Sequence, residues 1–92
     1  YSGLHVQGAR LVHGGRVYLT GYLIAHAESE TKTVLFCDGL DANAPVVLCV
    51  RVAPQQSPTA LMLARERAVR FEAGLWVQAE EGVEVHVWAV GR

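Results

Sequence analysis

Ninety-two residues, 51 % hydrophobic and 18 % charged with a formal charge of −1, make a single domain, 1–92, near the lower end of what folds unaided. Eight basic and nine acidic residues are interspersed, without the basic stripe of nucleic-acid binders, so no nucleic-acid partner is expected. No run reaches the 18 or so apolar residues of a membrane-spanning helix and no signal-peptide pattern opens the chain, so no membrane partner is expected either. A chain this short cannot cover so much apolar surface internally. Part of it is expected at the outside or against a partner, in an oligomer. The start at Tyr1 rather than at a Met leads us to expect a processed, trimmed or incompletely covered N-terminus, with residues missing before Tyr1.

In chain order, Leu4 to Val6 and Ala9 to Val12 read as short strands broken by Gly8, and His13 to Gly15 reads as a turn because paired glycines accept positive φ. Arg16 to Ala27 is the longest regular run. Its alternation puts Val17, Leu19, Leu23 and Ala25 on one face and Tyr18, Thr20, Tyr22 and His26 on the other, with the strand period of two. Gly21 in its middle marks a bulge, a bend or a close backbone approach. Residues 28–32 are a polar turn. Thr33 to Cys37 is a strand closed by Asp38 and Gly39, a pair suited to turns. Val46 to Val52 is apolar on both faces, as a strand buried on both sides or one with a partner-facing side would be. Pro54 and Pro58 then forbid a central strand.

Residues 59–72 admit two readings. Leu61, Ala64, Ala68, Phe71 and Leu75 fall on a helical stripe of good helix formers, with Gly74 as a cap. The rival is a short strand near Leu61 to Leu63, a charged turn at 65–67 and a strand from Ala68 to Phe71. Beyond it, Leu75 to Gln78, the turn Glu80 to Gly82 and Val83 to Val90 read as a terminal hairpin. These runs predict an all-β chain: a small antiparallel β-sandwich, jelly-roll-like, of about 7–8 strands.

No pattern for catalysis or metal binding emerges. His5, His13, His26 and His86 lie on separate elements, without zinc-site spacing, and read as surface or rim residues. Ser2, Ser29 and Ser57 lack a nucleophile elbow. Cys37 stands beside Asp38 but in an apolar strand, unlike a reactive thiolate. Cys37 and Cys49 read as two core thiols, a disulfide being the alternative. Glu28 with Glu30 and Glu80 with Glu81 are turn acids. No enzyme activity, cofactor or metal is expected. Tyr18, Tyr22 and Trp88 fall on the less apolar faces of their strands. They suit a second core face, the anchors of a protein interface or a sugar-stacking platform.

Four segments, Leu19 to Tyr22, Phe36 to Gly39, Phe71 to Val77 and Val85 to Trp88, together resemble small β-sandwich virion proteins of tailed bacteriophages. In that family a leucine–glycine strand is followed by an apolar-aromatic-Asp-Gly strand end. A late step through glycine into an aromatic and valine comes next, then a closing valine-rich strand. The chain departs from the pattern at Cys37, where an aromatic is usual, and at Ala44 and Pro45, where a glycine-led turn is usual. The resemblance runs from about Arg16 to Val90 and favours strands over a helix at 61–71. It implies a non-enzymatic structural protein located in the virion, first of all a capsid decoration or cement protein binding the major capsid protein. A tail, fibre or portal-associated component is the alternative within virions, and a carbohydrate-binding module the alternative outside them. Shell symmetry would favour a trimer. The residues expected at the contact are Tyr18, Tyr22, Arg51, Arg65, Arg70 and Trp88.

Overall fold

A computed structural model describes residues 4–53, 59–62 and 67–91, with main chain alone for Leu4, 59–62 and Gly91. Among the described residues nine strands appear in chain order. They are β1 (Leu4–Gln7), β2 (Ala9–Gly14), β3 (Val17–His26), β4 (Lys32–Asp38), β5 (Val46–Val52), β6 (Thr59–Met62), β7 (Val69–Phe71), β8 (Gly74–Ala79) and β9 (Val83–Gly91). The residues at 59–72 thus supply two short strands flanking the charged stretch, as the strand reading expects. The prolines at 54 and 58 and the charged residues at 65 and 66 lie outside the described residues.

The strands form two antiparallel sheets. The front sheet runs β1-β9-β3-β6 with β7 also on β3, and the back sheet runs β2-β8-β4-β5. β6 pairs with Gly21 to Ile24 and β7 with Val17 to Leu19. Both lie along the β3 edge that β9 leaves free, end to end, and share one ladder position. Counted so, the eight positions interleave as 1-8-3-6 and 2-7-4-5, which is the double Greek key of a jelly roll. Fold class and topology agree with the sequence reading.

Two local expectations fail. β8 and β9 are joined by a tight turn, in which the Val83 N–H donates to the Glu80 carbonyl (3.2 Å) and Gly82 takes φ 86°. They are nevertheless no hairpin: β8 pairs with β2 and β4, whereas β9 pairs with β1 and β3. A short turn with alternating flanks serves an arch between sheets as well as a hairpin, because periodicity says nothing about which neighbour receives the hydrogen bonds. The second failure is the phase of β3. Its register against β9 shifts between Leu19 and Gly21, and one extra residue reverses every side chain beyond it. Val17 and Leu19 point inward as expected, but past the bulge Tyr22 and Ile24 are buried and Leu23 and Ala25 lie on the outer side. The Thr20 hydroxyl donates to the Trp88 carbonyl (3.0 Å) where the ladder is interrupted.

The interior is filled with apolar side chains. Val6, Val85, Val87, Ile24 and Phe71 from the front sheet meet Val34, Phe36, Leu75, Val77 and Val52 from the back sheet. Tyr22 and Phe36 join the layers, their rings 5.5 Å apart. Each large side chain buried this way contributes about 1.5–3 kcal/mol of transfer free energy. At one end of the sandwich, His26 ties the sheets together. Its Nδ1 accepts from the Glu28 N–H (3.1 Å), so in the neutral ring Nε2 carries the proton and donates to the Val52 carbonyl (3.1 Å). Lys32, expected in the polar turn, instead opens β4. It is 8 % exposed, with its ammonium 3.6 Å from Glu30.

Candidate docking surfaces

Alternation leaves each sheet an outer face, and the two differ in chemistry. On the front sheet, β1, β9, β3 and β7 place polar groups and rings outward. His5 faces His86 across the β1–β9 pair with ring centroids 4.8 Å apart, and His86 stacks toward Trp88 at 6.4 Å. The His5 ring lies 3.4 Å from the Glu84 carboxylate. Trp88 stands opposite Gly21, and Tyr18 is opposite Val90 on one side and Arg70 on the other. Arg70 pairs with Glu72, which also meets Arg16 at 3.5 Å.

The back sheet presents apolar groups instead. Leu11 on β2 stands beside Trp76 on β8, Trp76 beside Cys37 on β4, and Cys37 beside Val46 on β5. This transverse row crosses all four strands without a charge. A register shift between Phe36 and Cys37 adds Val47 to its end, and both valines are solvent-exposed, 52 % and 44 %. The neighbouring row runs Ala9, Gln78, Leu35 and Cys49. At the other end of β8, Gly14 and Gly74 face each other, and the Leu40 side chain lies across the pair, close to both. Leu11, Leu40, Val46 and Val47 are the exposed large hydrophobic residues among those described, and all four belong to this side. The polar demand of the surface is partly met from within, since Trp76 Nε1 donates to Gln78 Oε1 (3.3 Å).

The residues expected at a contact do not converge on one surface. Tyr18, Arg70 and Trp88 share the outer front face. Tyr22 is in the core, 8 % exposed, because of the β3 bulge, and burial pushes its phenol pKa up. That removes it from any surface contact and from a three-ring platform. Arg51 stands on the far side of the sandwich, opposite Thr33 on β5. Arg65 lies outside the described residues. The apolar outer row was missed as a set, although β5 carried a signal in being apolar on both faces. As an edge strand it turns one apolar side inward and leaves the other in solvent.

The cysteines also part ways. Cys37 is buried and free, with its thiol pKa pushed up by burial, whereas Cys49 is exposed and free rather than in the core. They stand on different ladder rows and form no disulfide. Asp38 is more than a turn former. Its carboxylate accepts from the Ala73 N–H (2.8 Å) and the Glu72 N–H (3.1 Å). The Ala73 N–H chiefly, then Glu72 and Gly74, hold the carboxyl below its ordinary value against the opposing effect of desolvation.

Among the described residues, no group of three or more His, Cys, Asp or Glu side chains is placed to hold a metal ion, and no helix is long and apolar enough to cross a membrane. Two shallow depressions stand out. One of about 300 Å³ is lined by Thr33, Leu35, Gln78, Ala79 and Glu80, and one of about 530 Å³ by Gln7, Gly8 and Glu81 to Glu84. Comparison of the chain with protein-family models, curated proteins and solved structures gives no match. The fold therefore defines the class: a jelly-roll sandwich with a filled interior, one polar outer face and one apolar outer face.

Proposed function

We propose that this protein is a non-enzymatic structural component that adheres to a larger protein assembly through the outer face of its back sheet. We further propose that the assembly is the head of a tailed phage, which the protein decorates and cements from outside. The observation that carries the reading is the uncharged row from Leu11 through Trp76 and Cys37 to Val46 and Val47. Removing apolar surface from water drives association, and a row without ionised groups is desolvated at little cost. The choice of a phage shell rests on the resemblance of the segments around Tyr22, Asp38, Trp76 and Trp88 to small virion sandwiches. With it comes a homo-oligomer, a ring of three where the local symmetry of a shell is three-fold. A tail, fibre or portal-associated seat would use the same row.

Reconstitution tests the proposal. Purified protein added to shells that lack it should co-sediment with them and raise their resistance to heat and low salt. Leu11→Lys should abolish both effects while the protein stays folded. Shells that neither bind the protein nor gain resistance would sink the reading.

A carbohydrate-binding module is the second reading, favoured by Tyr18, His86 and Trp88 on the outer front face. It predicts retention on a glycan affinity gel that Trp88→Ala removes and Leu11→Lys leaves intact. Retention unchanged in Trp88→Ala would discard it.

A further inference from the structure

Among the described residues the two sheets end in four edges: β1 and the β6–β7 line in front, β2 and β5 behind. Free edges recruit further strands, and proteins blunt them with shortness, breaks, bulges or charge. Three of the four are blunted in this way. Over the described residues β1 has 4, and the β6–β7 line consists of two short pieces. β2 carries a register shift between Leu11 and His13 and exposes Arg10. β5 differs, being 7 residues long and paired among the described residues with β4 alone. Its one irregularity lies at its start, beside Val46, and its one charge is Arg51.

We propose that β5 pairs with β5 of a second copy, antiparallel about a two-fold axis at Cys49, joining two back sheets into a single sheet of eight strands. A two-fold contact uses the same strand twice, so its sequence must complement itself about the centre. About Cys49 it does. Leu48 meets the partner's Val50 on the inward side, an aliphatic pair repeated by symmetry, and beyond it the register shift turns Val46 outward, so the inward pairing ends there. On the outer side Val47 meets the partner's Arg51, whose methylene stem covers it while the guanidinium stays in water. The two arginines then stand about 13 Å apart along the strands. An axis at Arg51 would instead set them face to face, which is unfavourable. The contact runs along the main-chain edge of β5 and shares Val47 with the outer row, so it is tested on the isolated chain without any shell, where Leu11→Lys, which removes shell binding, should leave it intact.

The test is the oligomeric state of the full chain by sedimentation equilibrium, with charge changes at position 47. The wild type should form a dimer. Val47→Lys, which sets two like-charge pairs against Arg51, should weaken it about tenfold. Val47→Asp should leave it as tight or tighter, and Val47→Lys with Arg51→Asp should restore it. Both positions are exposed, and thermal unfolding confirms that each variant folds. Diamide, which takes up the two protons and two electrons released when two thiols become a disulfide, should cross-link wild type and Cys37→Ser but not Cys49→Ser. A monomer, a ring of three without two-fold pairs, or a dimer indifferent to the sign of charge at position 47 overturns the proposal. A dimer that fails to cross-link through Cys49 overturns the register.

Discussion

Asp38 links a local turn to the long-range architecture. Its carboxylate takes two N–H groups from the connection between β7 and β8, which belong to opposite sheets. Asp38→Asn should lower stability by about 1 kcal/mol, the low end for a charge-assisted bond because the group is partly in water. The folded-state carboxyl lies below 3.8. Its contribution is therefore complete above about pH 4 and is lost as pH falls through the lower folded value. Urea unfolding should separate wild type from Asp38→Asn at pH 7 and show a smaller gap at acid pH, as the carboxylate becomes protonated. An equal gap at both pH values would count against the account. Tyr22 makes the opposite point, that of a polar aromatic spent on packing. Tyr22→Ala should cost about 3 kcal/mol or more, visible in thermal unfolding, whereas Tyr22→Phe should stay within about 1 kcal/mol.

At the level of elements, the start of β8 is the tightest junction. A Cβ on Gly74 would lie 2.9 Å from the carbonyl oxygens of Gly39 and His13 and from the Leu40 side chain. Two of these are main-chain atoms, one in β2 and one just past the end of β4, where the Gly39 N–H is bonded to the Gly74 carbonyl (3.0 Å), and neither can swing aside. Gly74→Ala should therefore destabilise by about 1–3 kcal/mol and lower the unfolding midpoint in urea without changing the slope. Gly14, which meets only Leu40 at 3.7 Å, is the control, and Gly14→Ala should be near neutral. Equal losses in the two variants would show that steric crowding at Gly74 is not the cause. The β3 bulge is the second decisive element. It sends Tyr22 inward while leaving Tyr18 outside, and so divides residues that simple alternation puts together.

For the whole molecule, the contrast between the outer faces matters most. The front face carries exposed ion pairs of the kind that add little to stability and keep a surface in water. The back face carries Leu11, Leu40, Val46 and Val47 in solvent, and the unfolded chain gains little by exposing them further. Leu11→Lys should accordingly change stability by less than about 0.5 kcal/mol, as read by thermal unfolding, while removing the proposed attachment to a shell. A large loss of stability would instead show Leu11 to be part of the core.

The strand-forming runs were legible because alternation and turn residues are local properties. Val46 to Val52, Thr33 to Cys37 and Val83 to Val90 needed no knowledge of the rest of the chain. The sandwich followed from them, since apolar faces of that size must be buried against one another. What alternation could not supply was the phase beyond Gly21, the parting of β8 from β9 into different sheets, and the identity of the edge strands. Each depends on which distant main-chain groups exchange hydrogen bonds, and nothing in a short window encodes that choice. Tertiary pairing therefore decided that Tyr22 is core, that Cys49 is exposed, and that the greasy surface of this chain lies on the back sheet rather than beside Trp88.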